Sequence, residues 1–449
     1  MRRAVRISVC PVKFKPYRSV VIEVRLVNST FEREPLSRPF GFKGGYLSEL
    51  WQVITLLEGA SGARSVGLGT QSVLWSDPAV FAGHSEAGGN ALMYAVLEFA
   101  SQLARTVPFE TPIDLLEEIY PSACAYAKTI TQRPDLRATF VLNALVSLDN
   151  AAWLLYAKET GIESFDDLIP EPYRPALSHR HSLLASIPAV GFGSTDDELR
   201  SLADAGYFVI KVKLGHPGSQ DDMLAQDKLR MEQIHRLFGG RETAHTASGR
   251  IPYYLDLNGR YDSIDRLHAL IDHADAIGAL DHILVVEEPF PEGYEADVSQ
   301  VGVRLAADEG AHTDADARRL LDMGYGAIAL KPVAKTVSMT LKIAAEAHRR
   351  NIPCFCADLT VNPILVDWNK SFAARLTPFP GLDFGLLETN GHQNYRNWDR
   401  MVSYHPFAGA SWMRVDDGVF RLNDDFYEHS GGIFELSQHY LDEVLPNGT

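Results

Sequence analysis

Cysteine is scarce in this chain, which carries Cys10, Cys124, Cys354 and Cys356 among 449 residues. Thiols so few and so scattered exclude a disulfide-stapled fold and point to a reducing compartment, the cytoplasm. Cys354 and Cys356 share one face if their segment is a strand, and burial is the expected role of such a pair. Positive charge is in deficit too, with 42 Lys and Arg against 58 Asp and Glu and a formal net charge of −16. Nucleic acid and anionic membranes need a basic surface, so neither is an expected partner. No long apolar run follows the basic start MRRAVRISVC, so neither a signal peptide nor a membrane span is expected. Low-complexity tracts are missing, which removes disorder as the default. Missing as well is a Gly-x-Gly-x-x-Gly after an early strand, which counts against an open doubly wound sheet. The glycine-rich stretch RPFGFKGGYLSEL lacks the Lys-Ser/Thr ending of a phosphate loop.

What is present suits a barrel joined to a second domain, for which the length is ample. Ser19–Leu26 and Trp51–Glu58 read as strands. The Gly- and aromatic-rich residues 38–50 between them read as a mobile loop that closes over a site, and GARSVGLG at 62–69 as turn residues. From Asn90 to about Gly161 the pattern is helical. Asn143–Lys158 reads as one uninterrupted helix with Leu145, Leu148, Ala152, Leu155 and Tyr156 on its apolar face. His179 and His181 are zinc-like in proximity but are expected on the surface of a linker, since a structural zinc site needs four ligands. From about Leu183 eight short apolar runs alternate with helical stretches: 182–190, 208–215, 251–259, 283–289, 304–310, 326–332, 352–359 and 384–389. Parallel strands separated by helices, eight in about two hundred residues, predict an α/β chain with a closed (β/α)8 barrel of the TIM type.

Charge interrupts these runs near their C-terminal ends, where barrels of this kind build active sites. Lys211 and Lys213 lie in IKVKLG, Asp256 in YLDLN, Glu287 in VVEEP, Asp308 in AADEG and Lys331 in ALKP. Lys211 and Lys213 point the same way along a strand. Asp256, Glu287 and Asp308 come from three successive strands about 4.8 Å apart and would repel one another without a cation. Three oxygen ligands suit Mg²⁺, with Mn²⁺ as the alternative. The chemistry served is removal of a proton next to a carboxylate: lysines act as bases, and a divalent ion stabilises the charge that develops. A second lysine and a metal nearby favour the neutral amine that a base must be. Glu288 and Glu309 read as supporting carboxylates. Asp358, Glu388 and His392, at or just past the last two runs, are candidate substrate-binding residues.

IKVKLG, YLDLNGRY, VVEEPF, LAADEG and ALKP together resemble the enolase superfamily, specifically its muconate-lactonizing-enzyme-like branch within the mandelate racemase and muconate lactonizing enzyme family. LVSLDNAAWLLYAKETG is similar to the helix these proteins carry before the barrel. The resemblance implies a modified TIM (β/α)8 barrel with an α+β capping domain. On this reading residues 1–180 form the cap, 181–390 the barrel, and 391–449 a C-terminal segment whose Phe420, Phe426, Tyr427, Phe434 and Tyr440 pack back on the cap. It also implies Lys213 and Lys331 as opposed bases, Lys211 beside them, and Asp256, Glu287 and Asp308 as metal ligands. Departures are visible. CFCADLTVNP offers no strand-seven His, KPVAKT replaces a Gly-Gly pair, and GLLETNG lacks the Asp-x-Asp of dipeptide epimerases. The expected protein is a homo-oligomeric Mg²⁺-dependent isomerase or lyase acting on a small carboxylate, as a racemase, an epimerase or a cycloisomerase. An acid-sugar dehydratase and a catalytically inactive binding scaffold are the alternatives.

Overall fold

The computed structural model describes residues 20–42 and 45–445, so Cys10 lies outside the described residues. The chain opens with a three-stranded antiparallel sheet, Val24–Phe42, Gly45–Gly59 and Arg64–Gln71, paired in that order. Residues 38–42 and 45–50, expected within a loop, are instead the ends of two paired strands whose ladder reaches Gly41 opposite Tyr46 and Phe42 opposite Gly45. Backbone pairing outweighs the glycine content there. The register slips between Pro35 and Phe40, where proline cannot donate to the ladder.

The glycine-rich run expected as a turn is the third strand, and its glycines have a packing reason. A Cβ on Gly67 would lie 2.2 Å from the Ser147 carbonyl and the Ala151 amide, and one on Gly69 would lie 2.8 Å from the Ser147 amide. Helix Val146–Thr160 can therefore rest directly on the strand. The expected single helix is broken at Leu145 into Ala138–Ala144 and Val146–Thr160, bent by 50°. The second piece is buried on every side from Val146 to Ala157, so the one-sided periodicity read from its sequence does not describe it. No single described helix is long and apolar enough to cross a membrane; this bent pair passes by length and composition only.

The barrel begins with Leu183–Ile187, which continues past Pro188 as Ala189–Val190. Strands follow at Ile210–Lys213, Tyr253–Asp256, Ile283–Glu287, Leu305–Ala307, Ala327–Leu330, Cys354–Cys356 and Gly385–Glu388. Each pairs in parallel with the next, and the last pairs with Leu183–Ile187, which closes the ring. Val209, Tyr254, Val285, Ala306, Ala329 and Leu386 share one buried cluster that fills the barrel. Val212, Leu255, Val286, Leu330 and Cys356 belong to the larger cluster outside it, beneath the helices. The period of two therefore sorts every strand into an inner and an outer face.

Past the last barrel strand, the hairpin Val415–Asp416 and Val419–Arg421 adds antiparallel to the first, with Phe420 opposite Leu184. Tyr427 donates its hydroxyl to the His181 carbonyl at 2.6 Å, so these aromatics sit on the barrel. The final helix, Gln438–Val444, returns to the first sheet, where Asn28 donates to the Val444 carbonyl at 2.5 Å. His181 is buried rather than on the surface: its Nε2 meets the Leu376 carbonyl at 2.9 Å, and burial pushes its pKa down to about 4.

Candidate active site

On six of the eight strands an inward residue of the barrel core is followed two positions later by a charged one. Val209 leads to Lys211, Tyr254 to Asp256, Val285 to Glu287, Ala306 to Asp308, Ala329 to Lys331 and Leu386 to Glu388. Strand alternation thus lifts one ring of ionisable groups above the apolar plug. Lys213 stands opposite Asp256, and Asp256 opposite Glu287, at a single level of three neighbouring strands.

The lysines and carboxylates interlock. Lys211 Nζ lies 3.0 Å from Asp256 Oδ2, 3.0 Å from Glu287 Oε1 and 3.1 Å from Glu388 Oε2. Lys213 Nζ donates to Asp256 Oδ2 at 2.5 Å and to Asn258 Oδ1 at 3.1 Å. Lys331 Nζ donates to Asp308 Oδ2 at 2.6 Å and sits 4.6 Å from the centre of the Trp75 ring, which the first domain supplies. Glu288, at a positive φ of 40°, accepts the amides of Asp308 at 2.7 Å and Gly310 at 2.9 Å and so fixes the Asp308 backbone. Asn258 donates to Glu309 at 3.0 Å. Lys335, from KPVAKT, donates to the carbonyls of Asp308 at 2.6 Å and Ala311 at 2.9 Å, and burial pushes its amine down to about 8.

Burial opposes every charge in this ring, and the partners decide the outcome. For Asp256 the two lysines outweigh burial and bring the carboxyl down to about 2. For Glu287 burial wins, helped by Asp308 and Glu388, and its pKa lies well above the carboxylate range. For Lys211 and Lys331 the carboxylates outweigh burial and hold both amines above the ordinary lysine value. The lowering expected from neighbouring lysines is thus not the dominant effect here.

A small cleft opens over the ring. Lys211, Lys213, Asp256, Asp308, Lys331, Asp358 and Glu388 line it, while Glu287 lies fully buried beneath Lys211. Asp358 follows Cys356 by two and by parity alone would face outward. The chain has left the strand by then, and the Asp358 oxygens accept the amides of Leu359 at 2.7 Å and Asn390 at 2.8 Å, which turn it inward. Burial and Glu388 push its carboxyl up to about 7. His392 is not brought to the cleft. It is exposed at the start of helix Gly391–Asn394, with its ring 6.3 Å from that of Trp398. The sequence reading missed Asn258, Trp75, Thr360, Asn390 and Leu36, all of which line the cleft, as do Leu47 and Leu50 of the segment expected to close over a site. Of these only Asn258, two past Asp256, carried a signal in the strand period.

Asp256, Glu287 and Asp308 fit a divalent ion by donor type, and Asp308 Oδ1 is buried with no hydrogen-bond partner. In this structure each of the three carboxylates is held by a lysine.

Comparison with known proteins agrees with the fold. The family model for enolase C-terminal domain-like proteins matches residues 194–402. Among solved structures, N-succinyl Arg/Lys racemase from Bacillus cereus is 16% identical, with 95% of this chain and 98% of that one covered and a TM-score of 0.61. A dipeptide epimerase from Enterococcus faecalis, complexed with Mg and a dipeptide, is 15% identical over 90% of this chain and 98% of that one, TM-score 0.62. A mandelate racemase/muconate lactonizing protein from Herpetosiphon aurantiacus is 17% identical over 90% and 96%, TM-score 0.59. A search of curated proteins gives no match. Residues 194–402 thus match the enolase C-terminal domain-like family, and the solved structures share the fold of the whole chain.

Proposed function

We propose that this chain is a Mg²⁺-dependent isomerase or lyase that removes the proton α to a substrate carboxylate, with Lys213 and Lys331 as the two bases. The observation that carries the reading is the ring itself: lysines on the second and sixth barrel strands, with three carboxylates on the strands between them. Asp256, Glu287 and Asp308 would hold the ion, which would stabilise negative charge as it develops on the substrate carboxylate. Lys211, locked to Asp256, Glu287 and Glu388, keeps a fixed positive charge beside Lys213 and orients those carboxylates. Lys213 and Lys331 rise from opposite sides of the ring, so a Cα placed between them can lose a proton to one amine and regain it from the other. The cap hairpin and Trp75 exclude water from that space. Racemisation or epimerisation uses both lysines. Cycloisomerisation or dehydration would use one as base and the other as electrostatic support.

The substrate class is a small-molecule carboxylate, and a homo-oligomer in a reducing cytoplasm is the setting we propose. Free Cys124, Cys354 and Cys356 support the compartment. The test is incorporation of solvent deuterium at Cα across a panel of carboxylic acids with Mg²⁺. Exchange by the native chain that is lost in a Lys213→Ala, Lys331→Ala double variant supports the reading. Exchange that survives in the double variant overturns it.

A further inference from the structure

The floor and the roof of the cleft differ in kind. On the floor stand Lys211, Lys213 and Lys331, the cations among the described lining residues, and each already faces a carboxylate. The wall by the last two strands is acidic, with Asp358 and Glu388. The Asp358 oxygens are met by backbone amides rather than by a cation. Overhead, the hairpin contributes Leu36, Phe40, Leu47 and Leu50. These side chains belong to an apolar cluster with Leu74, Tyr395 and Met401. Leu36, Phe40, Leu47 and Leu50 have no side-chain group that donates or accepts a hydrogen bond.

A ligand carboxylate can be neutralised only at the floor, so the rest of the ligand extends toward the roof. A second anionic group there would meet leucine and two acidic side chains. A row of hydroxyls directed at Leu36, Phe40, Leu47 and Leu50 would lose its water without replacement partners there. A methylene chain would gain from burial. We propose that the site selects monocarboxylates with an apolar far end and rejects dianionic and polyhydroxylated acids. This deepens the proposed function and rests on it for the orientation of the ligand.

Binding separates the two ideas. Butanoate, hexanoate, octanoate, octanedioate and gluconate would be titrated calorimetrically into the full chain with Mg²⁺ present. Affinity is expected to rise about fourfold per added methylene until the roof is reached. Octanoate should bind at least tenfold more tightly than octanedioate or gluconate. Phe40 is only partly buried, so Phe40→Asn should fold, and in it the gain per methylene should shrink. A flat alkanoate series, or octanedioate or gluconate binding as well as octanoate, overturns the proposal. Chain-length selectivity without α-exchange in any acid would leave this inference standing and remove the proposed reaction. Exchange in gluconate with a flat alkanoate series would do the reverse.

Discussion

The three lysines of the ring are not equivalent. Lys211 is 2% exposed and touches three carboxylates, so Lys211→Met leaves buried charges unpaired. Removing one partner of a buried ion pair costs about 3–5 kcal/mol, and urea unfolding should register a loss of that order. Lys213, whose side chain is 17% exposed, has water as a substitute partner for Asp256, so Lys213→Ala should cost stability far less. Its effect should fall on turnover, lowered about 10²–10⁴-fold on whichever acid proves to be the substrate, as should that of Lys331→Ala. For a racemase or epimerase, each single variant should still exchange the Cα proton of one stereoisomer, read by NMR in deuterium oxide. At this scale the sequence was legible wherever a charge sat two residues beyond an inward apolar one. It misled at His392, because the short helix after the last strand turns that side chain to solvent. It was silent on Trp75, which reaches Lys331 only through the docking of the cap.

Among the elements, helix Val146–Thr160 joins the two halves of the molecule. Asp149 on this helix accepts both the Ser338 amide, at 3.1 Å, and its hydroxyl, at 2.5 Å, at the start of barrel helix Val337–Arg349. Burial raises the Asp149 carboxyl to about 7, against about 3.9 in the unfolded chain. A raised acid stays protonated in the fold while the unfolded chain ionises, so its contribution to stability falls as pH rises from about 4 to about 7. Chemical unfolding of the native chain and of Asp149→Asn at pH 5, 6, 7 and 8 tests this. The native-minus-variant difference should decline by up to about 1.4 kcal/mol per pH unit below 7 and then level off. On its other side the helix needs Gly67. Gly67→Ala places a methyl against backbone atoms of Ser147 and Ala151 that cannot yield. A loss of about 3 kcal/mol, at the upper end of overpacking costs, should appear as a lower melting temperature. Glycine composition alone suggested a turn here, since a sequence does not distinguish a glycine that bends the chain from one that admits a neighbour.

For the whole molecule, the proposed ligand set predicts that stability responds to metal. An ion that binds the fold and not the unfolded chain stabilises it by about 2.7 kcal/mol at a hundred times its dissociation constant. Addition of Mg²⁺ should therefore raise the melting temperature, EDTA should reverse the rise, and Asp308→Ala should abolish it. The sequence by itself determined the barrel, because strand and helix periods are local and the eight runs repeat in order. It also determined that Lys211, Asp256, Glu287, Asp308, Lys331 and Glu388 stand at one end, because a period of two and a parallel sheet leave no other place for them. Only the tertiary structure decided that residues 38–42 and 45–50 are paired strands in place of a loop, that Leu36, Phe40, Leu47 and Leu50 close that end with apolar surface, and that Asp358 turns inward while His392 does not. Those placements depend on contacts between residues far apart in the chain, such as Gln52 with Tyr395 at 2.7 Å, and no local pattern encodes such a contact.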